Sequence, residues 1–271
     1  MVPTALRLRR SIVVVASLTV LVAGGLIALR ETPAPAPAPA PRAVPRPGEA
    51  RVEVGPLHQR TGALLTLSDA ASRVRVRFAD LPGLLYRISA APDSGVAPRV
   101  ARRGGRVAVT LENTGRDGLD EVRIVLNRDV RWDIRLPGGA GEQHLNLRDG
   151  RVERVYLGSA GLTELWLPEP VGTVPVVLAG GSGTAMLSAG GGAPFRVRFD
   201  EGAGSVRTPW TANDGTPAGT VLREPGFRRS RDRYAIRAAG GLGTLVVRRD
   251  RIPTVRRAET PSSRRTGNGF R

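Results

Sequence analysis

The sequence predicts an all-β domain, built as a β-solenoid-like stack of short strands with a 21-residue repeat and preceded by one transmembrane helix. Three observations carry this. Apolar and polar residues alternate with period two along most of the chain after residue 50. Glycine-rich turns recur at a fixed spacing. A single uncharged apolar run stands near the N-terminus.

That run comes first. Arg7, Arg9 and Arg10 precede Ser11 to Leu29, which holds no charge. Nineteen residues at a helical rise of about 1.5 Å span roughly 29 Å, the thickness of a bilayer's hydrocarbon core. The far flank, Arg30-Glu31, is neutral, so the charge bias holds residues 1–10 in the cytoplasm and places the rest of the chain outside. A cleaved signal peptide is the competing reading, but its apolar core is shorter and ends in a small-residue site. Here each Ala-x-Ala triplet that follows, such as Ala34-Pro35-Ala36, is itself followed by Pro. The run 11–29 is therefore read as a signal anchor, which gives a cell-membrane, single-pass protein with an extracytoplasmic C-terminal domain.

Residues 30–50 form a Pro/Ala-rich linker. Alternating Pro from Pro33 to Pro41, continued at Pro45 and Pro47, holds the chain in polyproline II. At about 3.1 Å per residue it reaches up to roughly 60 Å.

The β domain is placed at 51–247. Val74, Val76 and Phe78 alternate with Arg73, Arg75 and Arg77, and Trp132, Ile134 and Leu136 repeat the pattern. Such segments are half-buried strands, several with Arg on the wet face. Leu136, Leu157, Leu178 and Phe199 stand 21 residues apart, and each leads into a glycine-rich turn followed by a second apolar strand. Leu111 and Ile236 begin degenerate copies. A period of this length marks a stacked array, here with two strands and two turns per unit. A β-sandwich of evenly spaced hairpins is the alternative. The glycines are read as turn-formers with positive φ rather than as phosphate cradles, because no helix follows any of the turns.

Composition excludes several kinds of chemistry. There is no Cys, so thiolate catalysis, Cys-based zinc sites and disulfides are impossible, and two His cannot fill a three-ligand site. All 41 basic residues are Arg, so no P-loop lysine exists. His58 falls in a loop-like stretch and His144 at a strand start, and both read as structural. The nearest approach to a nucleophile elbow, Gly180-Gly181-Ser182-Gly183-Thr184, lies between strands and lacks the last Gly. Asp117, Asp120 and Glu121, and the pair Asp200 and Glu201, read as solvated turn residues rather than Ca²⁺ ligands. No catalytic residue, cofactor or metal is assigned.

About a third of the net charge of +17 lies in the tail, where residues 248–271 hold eight Arg against two acids. Pro, Ser, Thr and Gly surround them, and the segment is expected to be disordered. Arg248, Arg249, Arg251, Arg256, Arg257, Arg264 and Arg265 are its candidate polyanion contacts. Outside the cell these meet anionic lipid or a cell-wall polymer rather than nucleic acid. An Arg-only chain rich in Ala, Gly, Val and Pro also reads as the product of a GC-rich genome, which leaves the charge of the central domain without a required partner.

The stretch from Trp132 to Val247 resembles a known family. Its WDIRLPGGAG, LNLRDGRVERVYLGSAG, LWLPEPVGTVPVVLAGG, APFRVRFDEGAGSV and DRYAIRAAGGLGTLVV segments are similar to membrane-anchored actinobacterial envelope proteins with adhesin-like, or toast-rack-like, β-repeat domains. The resemblance implies an extracytoplasmic β-rich domain in a family mostly of unknown function, some of whose members take part in envelope-stress sensing. The functional expectation is thus a non-enzymatic envelope module that binds, adheres or senses, with other envelope proteins among its partners. The alternative is an exported hydrolase acting on cell-wall polysaccharide, which needs two facing carboxylates in a cleft.

Overall fold

A computed structural model describes residues 51–249. The expected anchor at 11–29, the linker at 30–50 and the tail beyond residue 249 lie outside the described residues. Among the described residues no helix is long and apolar enough to cross a membrane.

Nineteen strands make up this region. The first seven are β1 (Arg51–Pro56), β2 (Gly62–Leu67), β3 (Ala71–Ala79), β4 (Leu84–Ala90), β5 (Val96–Arg103), β6 (Arg106–Asn113) and β7 (Glu121–Asn127). The next six are β8 (Arg131–Leu136), β9 (Ala140–Asn146), β10 (Arg151–Leu157), β11 (Ala160–Leu167), β12 (Thr173–Leu178) and β13 (Ser182–Ala189). The last six are β14 (Phe195–Phe199), β15 (Ala203–Arg207), β16 (Ala212–Thr216), β17 (Val221–Arg223), β18 (Arg233–Ala238) and β19 (Leu242–Arg249).

Two sheets share one core. The ten-stranded sheet runs β1-β4-β7-β3-β9-β11-β13-β19-β15-β16, and the nine-stranded sheet runs β17-β14-β18-β12-β10-β8-β2-β6-β5. Both are parallel in their middle and antiparallel at their ends. The parallel part is a stack of two-strand coils, each taking one strand from the nine-stranded sheet and the next from the ten-stranded sheet. Read along the stack, the seven coils are β6/β7, β2/β3, β8/β9, β10/β11, β12/β13, β18/β19 and β14/β15. The domain is a solenoid in its pairing and a sandwich in its layering. Antiparallel strands cover both ends, so the edge strands are β1 and β16 in one sheet and β17 and β5 in the other.

The core is built from rows of register partners. Val107, Leu65, Ile134, Val155, Val176, Ile236 and Val197 form one unbroken row across the nine-stranded sheet, and all are buried. Ile124, Val76, Leu145, Leu165, Leu187 and Val247 form its counterpart in the ten-stranded sheet. The branched and Leu side chains suit pleated surfaces that pack face to face.

The four repeat anchors are buried, and Leu136, Leu157 and Leu178 are register partners in successive coils. Phe199 corrects the order implied by the repeat. It does not sit beside Leu178, because Ala238 of β18 stands between them in register. Chain order and stack order diverge at both ends of the solenoid. The equivalent of the anchors in the last copy is therefore Ala238, and Ile236 belongs to the Val155 row instead.

The glycines of the repeat also have a different cause from the one expected. Gly139 and Gly202 do have positive φ, but Gly158, Gly180 and Gly240 do not. Their constraint is close approach of neighbouring coils. A Cβ on Gly180 would lie 2.5 Å from the Ser159 nitrogen, and one on Gly240 would lie 2.5 Å from the Gly180 carbonyl carbon. A second column, Gly141, Gly161, Gly183, Gly243 and Gly204, would bring each Cβ within 3.0 Å of the carbonyl oxygen of the adjacent coil.

Among the buried polar residues, one departs furthest from the apolar rule. Gln143 of β9 falls in the inward row between Val74 and Thr163 and is fully buried, with neither amide atom partnered. An unpaired buried amide costs about 1–3 kcal/mol. Gln143→Leu is expected to stabilise the domain by about that amount, read as a higher urea midpoint at unchanged slope. A lower midpoint would show that the amide is satisfied inside the core.

Candidate surface site on the ten-stranded sheet

Outward-facing residues of β7, β3, β9 and β11 line a depression of about 390 Å³ on the solvent side of the ten-stranded sheet. Its lining includes Arg75, Arg77, Arg123, His144, Asn146, Glu164 and Trp166. Period-two alternation puts them there. Residues 74, 76 and 78 of β3 go to the core, which sends 73, 75 and 77 to water, and β9 and β11 follow in register.

Two rows cross this face. In the first, Arg123, Arg75, His144 and Glu164 are neighbours on successive strands. In the second, Val125, Arg77, Asn146 and Trp166 are neighbours, and the row continues through Ser188 to Arg248. Neighbouring strands are about 4.8 Å apart, so side chains two strands apart are about 10 Å apart along the stack.

A network of charge fixes one side. Arg73 Nε donates to Glu142 Oε2 at 2.6 Å, and Arg73 Nη1 reaches Glu121 Oε2 at 3.5 Å. Arg123 Nε donates to Glu121 Oε1 at 2.5 Å, and Arg75 Nε stands 3.4 Å from the same oxygen. His144 bridges two carboxylates, with Nδ1 2.8 Å from Glu164 Oε2 and Nε2 3.1 Å from Glu142 Oε2. The hydrogen bond from Arg73, then that from His144, holds the Glu142 carboxyl down at about 2. For Glu121, burial favours the neutral form, but the hydrogen bond from Arg123 and the charges of Arg75 and Arg73 outweigh it and lower its pKa. Glycoside hydrolysis needs a carboxyl with a raised pKa as general acid. Glu142 is shifted the other way.

The second row is differently equipped. Trp166 is half-buried, with the Arg148 guanidinium over its ring at 5.4 Å. Arg77 and Asn146 are exposed beside it, and Arg77 makes no ion pair among the described residues. The result is an aromatic platform between guanidinium groups, with an amide alongside.

Of the tail arginines proposed from sequence, two are described and both lie in β19. The strand runs through Arg249, two residues past the expected boundary at 247. Arg248 is exposed in the Trp166 row. Arg249 faces the other way and is occupied inside the fold. Its Nη2 donates to Glu224 at 2.5 Å, its Nη1 to the Ala193 carbonyl at 2.7 Å, and its guanidinium lies 4.7 Å from the Phe195 ring centre. Arg249 is thus a core cap rather than a polyanion contact. Arg251, Arg256, Arg257, Arg264 and Arg265 lie outside the described residues.

The acids read as solvated turn residues divide. Asp117 and Asp120 stay in the β6–β7 turn, but Glu121 is buried at the start of β7 within the arginine network. Asp200 accepts from Arg237 at 2.6 Å and from Arg198 at 2.8 Å, and chiefly the Arg237 hydrogen bond lowers its pKa. Glu201 accepts from the Gly241 nitrogen at 2.9 Å. His144 lies within β9 rather than at its start, and His58 sits in the β1–β2 loop. No group of three or more His, Cys, Asp or Glu among the described residues could hold a metal ion. The sequence did not single out Trp166, Arg77 or Asn146. Their one signal was outward parity in strands whose order it did not specify.

No protein-family model matches the chain, and no curated protein does. Solved structures do. A candidate cell adhesion protein from Clostridium sporogenes aligns over 74% of this chain and 99% of its own, with a TM-score of 0.55 and 11% identity. A candidate adhesin from Bacteroides fragilis covers 74% and 97% at TM-score 0.29 and 7% identity, and one from Parabacteroides merdae covers 75% and 97% at 0.23 and 9%. None of the three organisms is actinobacterial. The likeness to the Clostridium structure is one of fold, and it bears out an adhesin-like β-repeat architecture.

Proposed function

We propose that this chain is a membrane-anchored extracytoplasmic module of the cell envelope that binds an acidic polysaccharide without catalysis, through the depression on the ten-stranded sheet. The observation that carries the reading is the Trp166 row. An indole face takes the apolar face of a sugar ring, while Arg77 offers a planar fork to a carboxylate and Asn146 offers both donors and an acceptor to hydroxyls. The depression is open and lies on regular strands, so a chain can lie across it with little rearrangement. The anchor and the stiff linker read from sequence would hold this face clear of a membrane. The actinobacterial affinity and the envelope-sensing role rest on the sequence resemblance.

The test is binding of the full chain, in detergent, to immobilised polygalacturonate and to neutral dextran. The uronate polymer should be preferred at least tenfold, and Trp166→Ala and Arg77→Ala should each remove most of that preference while leaving the melting temperature within a few degrees. Equal affinity for dextran, or an unchanged preference in both variants, would reject the reading. Release of new reducing ends from the polymer would favour the hydrolase instead.

A further inference from the structure

On the opposite outer face, the arginines at the starting ends of the nine-stranded sheet's strands face one another. Arg103 of β5 and Arg106 of β6 are direct cross-strand partners, and both are exposed. Arg131 of β8 and Arg151 of β10 are register partners in adjacent parallel strands, and both are exposed too. Like charges directly opposite each other destabilise a sheet. None of the four makes an ion pair among the described residues, whereas Arg99, Arg135, Arg154, Arg198 and Arg237 on the same sheet do.

A fifth arginine joins them from β2's leading loop. Arg60 reaches over the β5–β6 turn, where its Nη1 lies 3.6 Å from the position of a Cβ on Gly105. Its Nε is buried and has no partner. The two residues before it, His58 at φ 46° and Gln59 at φ 55°, are the non-glycine residues with positive φ among those described. Consecutive left-handed backbone on non-glycine residues is held only where the surroundings impose it, and it clusters at ligand clamps. This loop sets Arg60 beside the turn that joins Arg103 to Arg106.

We infer that Arg60, Arg103, Arg106, Arg131 and Arg151 form a second binding site, for a linear polymer bearing phosphate groups. The row crosses β5, β6, β2, β8 and β10, four strand spacings or about 19 Å along the stack. It steps by two residues at β2, where Arg106 partners Leu64 and Arg131 partners Gly62, and a single stepped file fits a chain better than a plane. A lipid surface would also call for apolar anchors, and of the four large apolar side chains exposed among the described residues only Val171 lies at this end of the nine-stranded sheet. A carboxylate also takes several arginines, as Glu121 and Asp200 do, but each unit of a phosphate polymer is fully ionised and its tetrahedral phosphoryl group accepts guanidinium forks from two directions. Paired arginines therefore match phosphate. The turns at the other end of the strands are less favourable to the same ligand, holding Asp69, Asp93, Asp117, Asp120 and Glu201 against Arg116.

The probe is inorganic polyphosphate, titrated into the full chain at several salt concentrations. Affinity should rise at least tenfold from a chain of a few phosphates to one of about twenty, as a row of linked contacts requires. It should fall steeply with salt. The double variants Arg103→Gln/Arg106→Gln and Arg131→Gln/Arg151→Gln should each weaken binding at least tenfold and melt no lower than the wild type, since each removes a repulsive pair. The same losses should appear in a background with Arg251, Arg256, Arg257, Arg264 and Arg265 changed to Gln, which separates the row from the tail. Arg75→Gln/Arg77→Gln, on the other face, should leave polyphosphate binding unchanged, so this site can fail while the polysaccharide reading stands. Unchanged binding in both double variants, affinity independent of chain length, or tighter binding to phosphatidylglycerol vesicles lost in the same variants would overturn the inference.

Discussion

Leu157→Ala should destabilise the domain by about 2–5 kcal/mol, the range for a large buried side chain cut back to a methyl group. Leu157 is fully buried at the end of β10, with Leu136 and Leu178 as its register partners on either side. Its coil is the fourth of seven in the stack. In a quasi-one-dimensional array each unit is held by its two neighbours. A cavity in the central coil therefore weakens two interfaces at once, and neither sheet can close over it without shifting strands paired on both edges. Urea denaturation gives the number directly. A loss below about 1 kcal/mol would mean that the coil can collapse around the gap, which the close packing of protein interiors opposes.

Gly180→Ala should cost about 1–3 kcal/mol through overpacking, and Gly180→Val more. The added Cβ would meet Ser159 Oγ and also the nitrogen and Cα of Ser159, the latter two at 2.5 and 2.8 Å, so backbone as well as a side chain must give way. Gly192 supplies the control. It has ordinary φ, and a Cβ there would find open space. Gly192→Ala should change stability by less than about 0.5 kcal/mol. Equal effects at the two positions would remove close coil-to-coil approach as the cause of the glycine repeat.

The strands were legible because alternation is local. Val74, Val76 and Phe78 face the core and Arg73, Arg75 and Arg77 face water for the reason their spacing suggests. The repeat was legible for a related reason, since each turn must present a glycine to the coil beside it. Coil order was not legible. Parallel strands of similar apolar pattern are interchangeable as neighbours, so the equal spacing of Leu157, Leu178 and Phe199 could not reveal that β18 enters between β12 and β14. The chain between Phe199 and Arg233 builds the end cap of β16 and β17 and then returns one coil inward. Nothing in a period of 21 encodes that return.

The surface sites were hidden by the same limit. Trp166 and Arg77 fall in one row, on either side of Asn146, only once β3, β9 and β11 are known to be adjacent. Arg103 and Arg106 could have been suspected from sequence, because the Gly104-Gly105 turn between them makes a hairpin. Arg131 and Arg151 could not, because their proximity depends on the parallel pairing of β8 and β10. Arg249 was misread for a different reason. Its tail-like composition concealed inward parity at the last position of β19, where Glu224 supplies the counter-charge.

Both faces depend on the order of coils, and paired cysteines test that order directly, since the chain has none of its own. Thr184 of β13 and Thr244 of β19 are register partners, and Ser205 of β15 lies one strand further on. Adjacent strands bring Cα atoms to about 4.8 Å, within reach of a disulfide, whereas strands two apart stand at about 10 Å and cannot be bridged without moving backbone. Under mild oxidation, Thr184→Cys/Thr244→Cys should cross-link within the monomer at high yield, and Thr184→Cys/Ser205→Cys should not. The reverse result, with β13 linked to β15, would restore the sequential order of the 21-residue repeat and contradict the stack described above.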